Sequence, residues 1–225
     1  MWRLFSSGDP KSMKTLTVTN DIYDSYEENG SLRIYKQNQN TITRAENNSG
    51  YFAVTQVAII PEVNQIQVVF RYNNSTLRSI EKDLELEKGS LLREDDLFDI
   101  SIVINTDKTP ERKDDNAFSA TDRPESVSEK RYFPTESYTE RDTKNVYNYR
   151  RYVFENISVE ELTLAVYVDI YYKGPDAKGN EKIPEYSEKP DGALCIYDYK
   201  SRNRTVKLVS RDIEAIKSYK KEEEN

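Results

Sequence analysis

Residues 161–172, Glu-Leu-Thr-Leu-Ala-Val-Tyr-Val-Asp-Ile-Tyr-Tyr, alternate between apolar and mixed side chains. Successive side chains of a strand point to opposite faces, so this pattern predicts a long strand with one apolar face. A helix would scatter the same apolar residues around its circumference, and the β-branched and aromatic content is typical of a strand. Such a strand needs a second apolar layer over it. The predicted apolar face consists of Leu162, Leu164, Val166, Val168, Ile170 and Tyr172.

Other segments show a similar alternation and can supply that second layer. Residues 51–60 and 65–72 flank the turn sequence Pro61-Glu-Val-Asn64, so we expect a hairpin there. The core is expected to draw on Leu164, Val166, Val168, Ile170, Val68, Phe70, Ile100 and Ile102. Further strands are predicted at 31–36, 41–44, 96–105, 150–154, 193–199 and 205–209.

Three segments have the apolar spacing of short helices. Residues 20–29 are expected to begin with Asn20 as the capping residue and to end before Gly30. Residues 76–87 are expected to end at Gly89, and a terminal helix is predicted at 210–219.

Together these elements predict an all-β fold, an immunoglobulin-like β-sandwich of about eight strands with about two or three short peripheral helices. The strand-rich blocks 51–105 and 150–199 broadly resemble immunoglobulin-type sandwiches. The Cys-Trp-Cys core of true immunoglobulin domains is missing, since Trp2 lies outside the patterned segments and Cys195 has no second cysteine. Two small sandwiches joined by residues 107–145 are the alternative.

The predicted domain organisation has three parts. Residues 1–19 form a polar tether, residues 20–219 a single β-sandwich domain with a long polar insertion at 107–145, and residues 220–225 a charged tail. The start, Met1-Trp-Arg-Leu-Phe5 followed by polar residues, resembles a juxtamembrane flank and predicts a missing N-terminal membrane anchor. A natural initiation at Met1 is the alternative.

Composition excludes several chemistries. The chain has no histidine, which excludes Ser-His-Asp and Cys-His catalysis and removes the commonest zinc ligand. Cys195 is its single cysteine, so no intrachain disulfide can form, which fits a bacterial or a cytosolic protein. The formal net charge of −7 disfavours nucleic acid as a partner. No cofactor, metal ligand or catalytic residue is predicted.

Acidic residues cluster twice, at Glu94-Asp-Asp96 with Asp99 and at Asp114-Asp115. Such clusters can bind calcium or act as paired carboxylates in glycoside hydrolysis. With 40 acidic residues in the chain, chance clusters are expected, and solvated charge is the favoured interpretation.

Aromatic residues in the two longest polar excursions are the candidate partner-binding residues: Tyr132, Phe133 and Tyr138 at 107–145, and Tyr186 at 173–192. We therefore expect a non-enzymatic, extracytoplasmic binding or structural domain of the cell envelope, whose partner is a protein or an envelope polymer. In the anchored interpretation it is the ectodomain of a single-pass membrane protein. The alternatives are a carbohydrate-binding module using surface tyrosines, a hydrolase using carboxylates alone, and a cytoplasmic location.

Overall fold

The structure of the protein is a computed structural model. Within the residues that it describes, the chain is mostly antiparallel sheet with a few short helices, which confirms the predicted β-rich class. The described residues are 11–44, 51–93, 97–105, 130–142, 147–157, 165–175, 194–198 and 208–219.

Two antiparallel sheets form the framework. Their strands are β1 Tyr35–Arg44, β2 Tyr51–Ile60, β3 Gln65–Asn73, β4 Phe98–Asn105, β5 Lys130–Tyr132, β6 Glu136–Asp142, β7 Tyr147–Phe154, β8 Ala165–Tyr172 and β9 Leu194–Asp198. One sheet has five strands in the order β1-β2-β3-β7-β6, and the other has four in the order β5-β4-β8-β9. The chain therefore crosses from the second sheet to the first between β5 and β6.

Short helices accompany the sheets. They are α1 Lys11–Lys14, α2 Asn20–Asn29, α3 Asn74–Asp83 and α4 Ser210–Ser218, with 3-10 turns at Pro61–Val63 and Ser90–Arg93. None of the helices in the described residues is long and apolar enough to cross a membrane.

The predicted hairpin at 51–72 is confirmed. Strands β2 and β3 pair antiparallel, with Ile59 opposite Ile66. Between them the 3-10 turn starts at Pro61, whose fixed φ suits the first position of a turn. Asn64 closes the turn at φ 50°, in the left-handed region that asparagine tolerates better than most residues.

One apolar cluster joins the facing sides of both sheets. Strand β8 lies against β4, with Val168 opposite Ile102, and the two side chains are 1% and 0% exposed. The rings of Phe52 and Phe98 meet edge to face at 4.8 Å between centroids, which links the two sheets directly. The predicted core residues that are buried in this cluster are Val68, Phe70, Ile100, Ile102, Val168 and Ile170. Leu164 and the side chain of Val166 lie outside the description.

The other face of the five-stranded sheet, here called the outer face, is covered by the two ends of the described chain. Met13 packs against Val69 and Tyr149, while Leu16 and Ile216 pack with apolar residues of β2. Strand β3 is consequently buried along nearly its whole length. Residues 11–19 belong to the predicted tether, and in the structure they lie against the sheet.

The capping residue of one helix and the end of another differ from those predicted. Helix α2 is capped by Thr19, one residue before Asn20, because Thr19 has the extended backbone and its hydroxyl accepts a hydrogen bond from the Ile22 amide at 3.4 Å. Helix α3 ends at Asp83, well before Gly89. Glu85 has the left-handed backbone at φ 54°, and the Leu86 amide donates to the Glu81 carbonyl at 2.8 Å, which closes the helix there. The carboxylate of Glu81 then holds the following loop, accepting hydrogen bonds from the Gly89 amide at 2.9 Å and the Leu91 amide at 3.0 Å.

Three predicted strand segments also change. Strands were predicted separately at 31–36 and 41–44, whereas β1 runs from Tyr35 to Arg44 with an irregularity between Asn38 and Thr41, and residues 31–34 precede it. In the predicted strand at 205–209, residues 208 and 209 are not strand and lead into α4, while 205–207 lie outside the described residues. Within the predicted polar insertion at 107–145, residues 130–132 and 136–142 form β5 and β6.

Candidate functional site

Three of the four candidate partner-binding residues lie where the chain crosses between the two sheets. Tyr132 ends β5 opposite Ile102 of β4, and Tyr138 lies on β6 opposite Arg151 of β7. Phe133 is in the short link between these strands. The structure thus places three of the predicted residues on one crossing segment, 130–142, and Tyr186 lies outside the described residues.

The three rings of the crossing segment differ in burial. Tyr132 is partly buried and packs against the main apolar cluster. Phe133 is 50% exposed and Tyr138 is 42% exposed, which are high values for large apolar side chains. Tyr132 therefore fixes the segment to the core, while Phe133 and Tyr138 present apolar surface to the outside.

The start of β6 is held firmly to its neighbour. The Thr135 amide donates a hydrogen bond to the Val153 carbonyl at 2.9 Å, and the Thr135 hydroxyl donates to the same oxygen at 3.3 Å. Strand β6 then pairs with β7 in unbroken register from Glu136 opposite Val153 to Asp142 opposite Tyr147. The exposed rings thus lie on an edge strand that is paired with β7 along its whole length, and on the hydrogen-bonded segment that enters it.

The hydroxyl of Tyr138 donates a hydrogen bond to the Glu136 carboxylate at 2.5 Å. Partial burial raises the pKa of Tyr138 above its ordinary value, and the hydrogen bond and charge of Glu136 raise it further. The phenol therefore stays protonated at neutral pH and can donate to this carboxylate of the same strand.

Behind β6 lie buried arginines that the sequence did not single out. Arg151 is 6% exposed and donates hydrogen bonds to the Ser12 carbonyl at 2.8 Å and the Thr17 hydroxyl at 3.0 Å. Burial lowers the pKa of Arg151 to about 10, and the carboxylate of Asp212 partly offsets that effect. Arg71, fully buried, lies 4.8 Å from the centre of the Tyr147 ring.

Arg150 lies on the inner face of β7, toward the four-stranded sheet, and is 5% exposed. Its Nη1 donates a hydrogen bond to the Thr139 hydroxyl of β6, whereas its Nε and Nη2 have no hydrogen-bond partner among the described residues. A buried guanidinium with two unsatisfied nitrogens is costly. The only sequence signal for it was the pair Arg150-Arg151 inside an aromatic strand pattern.

The acidic clusters of the sequence contribute nothing to this segment. Residues 94–96 and 114–115 lie outside the described residues, and Asp99 lies on β4. Across the described ranges, no group of three or more Cys, Asp or Glu side chains is arranged to hold a metal ion. The crossing segment thus offers aromatic surface, carboxylates and a strand edge, which are means of binding.

Comparisons with family models, with curated proteins and with solved structures find no match for this chain. Its site is therefore interpreted from its own geometry.

Proposed function

We propose that this chain is a non-enzymatic, extracytoplasmic binding domain of the cell envelope that engages a protein or an envelope polymer through the crossing segment 130–142. The observation that carries the proposal is the exposure of Phe133 and Tyr138, at 50% and 42%, on a segment anchored by Tyr132 and Thr135. Aromatic side chains that are rigid before binding lose little conformational freedom in a complex, which makes them effective interface anchors.

A second part of the proposal concerns how the two sheets are arranged. We infer that the two sheets form an immunoglobulin-like sandwich of about eight strands in a single domain. It is supported by the one apolar cluster that draws on β2, β3, β4, β7 and β8, and so on both strand-rich blocks of the sequence. The extracytoplasmic location is part of the same proposal, and fractionation of the source cells tests it.

Retention of an envelope partner by variant proteins tests the function. The double variant Phe133→Ser/Tyr138→Ser is expected to keep the melting temperature of the parent and to lose the partner. The matched control is Val209→Ser, because Val209 is also exposed, at 37%, but precedes α4. Tyr132→Ala is expected to lower the melting temperature, since Tyr132 packs on the core.

The behaviour of Phe133→Ser/Tyr138→Ser decides whether the binding proposal holds. If it retains every partner that the parent and Val209→Ser retain, the binding proposal is wrong. Retention of one class of sugar on a glycan array, lost in the same variant, would favour the carbohydrate-binding alternative.

A further inference from the structure

We propose that the free edge of β6 takes up its partner by strand addition, and that the partner segment is extended and basic. This inference rests on the proposed binding function of the crossing segment and adds the chemical class and the binding mode of the partner. Strand addition supplies affinity through main-chain hydrogen bonds and specificity through alternate side chains.

The other sheet edges carry features that discourage pairing with another chain. Strand β1 is interrupted by an irregularity between Asn38 and Thr41. Strand β5 has 3 residues, and β9 has 5 residues with a register shift opposite Val166 and Tyr167. Short strands and bulges are common devices by which proteins protect the edges of their sheets.

Strand β6 has no bulge and is longer than β5 and β9. It has 7 residues, Glu-Ser-Tyr-Thr-Glu-Arg-Asp, with no proline, glycine or lysine, and its register with β7 has no irregularity. Within the described part of the chain it pairs with β7 alone. Since an antiparallel strand uses alternate backbone groups for each neighbour, the outward N–H and C=O groups of β6 face no other strand of the described ranges.

The exposure of the β6 side chains agrees with a free edge at this strand. Glu136, Ser137, Tyr138 and Thr139 are exposed side chains along the first half of β6, and Arg141 is exposed in the second half. A strand laid beside β6 would continue the five-stranded sheet and would lie next to the exposed ring of Tyr138.

The acidic residues of β6 favour a basic segment as the strand that pairs with its free edge. Glu136, Glu140 and Asp142 occupy alternate positions of β6, and Tyr138 lies between the first two. An extended segment with Lys or Arg at alternate positions would place its charges opposite these acidic positions of the strand and over the tyrosine ring. The formal net charge of −7 also attracts a basic partner.

A second copy of this chain fits poorly. In a two-fold antiparallel pair that continues the sheet, opposed residues share a face, because the symmetry axis is perpendicular to the sheet. The alternate acidic positions of one copy would then lie opposite those of the other, for example Glu136 opposite Asp142. Like charges directly opposite each other destabilise a strand pair.

Synthetic peptides of about nine residues test the mode of binding, a length chosen to cover one strand. The probes are an alternating Lys-Val peptide, its Glu-Val counterpart, and a Lys-Val peptide with a central proline. Binding is measured by calorimetry at low salt, and backbone hydrogen exchange of the protein is followed by NMR. We expect the Lys-Val peptide alone to bind, to slow exchange within residues 136–142, and to weaken as salt is raised.

A charge-reversal variant and its matched control test whether the peptide binds beside β6. Glu136→Lys/Ser137→Lys places two lysines at exposed positions of β6, and Glu27→Lys/Ser31→Lys makes the same changes at exposed positions near the end of α2. The first is expected to weaken the Lys-Val peptide at least about tenfold, and the second by less than about twofold, since the control differs only in where the charge lies.

The outcomes separate this inference from the proposed function. No binding of the Lys-Val peptide, protection outside 136–142, equal effects of both lysine variants, or dimerisation through β6 each overturns strand addition. If the envelope partner is lost in Phe133→Ser/Tyr138→Ser but unaffected by Glu136→Lys/Ser137→Lys, strand addition is wrong and the binding function stands. If the peptide binds as expected while no partner depends on the two rings, the proposed function is wrong.

Discussion

The side chain of Gln67 pairs with the backbone of Thr17 through two hydrogen bonds. The Thr17 amide donates to Oε1 of Gln67 at 2.9 Å, and Nε2 of Gln67 donates to the Thr17 carbonyl at 2.7 Å. Gln67 is 1% exposed and belongs to β3, so its amide group serves the N-terminal segment as a neighbouring strand would. Residues 12–17 are thus fastened to the outer face by polar contacts as well as by Met13 and Leu16.

Replacing Gln67 by Ala should loosen this fastening. The backbone groups of Thr17 would lose both partners, so we expect a loss of about 1–3 kcal/mol in the free energy of unfolding. Chemical denaturation measures this loss, and limited trypsin digestion should show faster cleavage at Lys14. The surface control Glu27→Ala should change neither. Unaltered stability and cleavage in Gln67→Ala would show that the segment is not held here.

Replacing Val168 by Asp should unfold the protein or cost about 3–5 kcal/mol, because an unpaired carboxylate would enter the core between β4 and β8. Val168 is 1% exposed and lies opposite Ile102. The same change at Val209, which is 37% exposed, should cost less than about 0.5 kcal/mol. Melting temperatures of the two variants decide this, and equal values would refute the assignment of β8 to the core.

Replacing Arg150 by Met should leave stability unchanged or raise it by up to about 2 kcal/mol, although the site is 5% exposed. The methionine keeps much of the aliphatic packing and removes two buried nitrogens for which the described part of the chain supplies no hydrogen-bond partner. Arg78→Met, at an exposed position of α3, is the control. A loss of more than about 2 kcal/mol in urea denaturation would mean that the charge of Arg150 stabilises the fold.

Replacing Tyr138 by Phe should reduce the decrease in the free energy of unfolding at alkaline pH. Burial and the Glu136 carboxylate raise the pKa of Tyr138, so the folded chain keeps this proton while the unfolded chain loses it near pH 10. The free energy of unfolding of the parent therefore falls as the pH rises above about 10, and this contribution is absent in Tyr138→Phe. Denaturation at several pH values measures it, and parallel curves for both proteins would contradict the raised pKa.

Local patterns in the sequence predicted much of the framework. The turn Pro61–Asn64, the helix Asn20–Asn29 and strand β2 match their predicted bounds, because turn chemistry, capping and alternation are encoded in adjacent residues. The buried side of β8 followed from the same alternation.

The apolar pattern of the sequence did not predict those elements whose structure depends on contacts with distant parts of the chain. Strand β6 is an edge strand with exposed side chains, so Glu136–Asp142 carries no apolar alternation and reads as a polar loop. Met13 and Leu16 are isolated apolar residues in a polar segment, and only the outer face of β3 gives them a partner. For the candidate site, the sequence identified the aromatic residues but neither the strand edge that carries Tyr138 nor the buried arginines behind it.

Backbone hydrogen exchange of the free monomer tests the central claim, the open edge of β6, most directly. We predict slow exchange along β3, which pairs on both sides and is buried, and a strict alternation along β6, where amides that face β7 are protected and outward amides exchange rapidly. Uniform protection of every β6 amide in the free monomer would contradict the account, since it would mean that the edge is already covered.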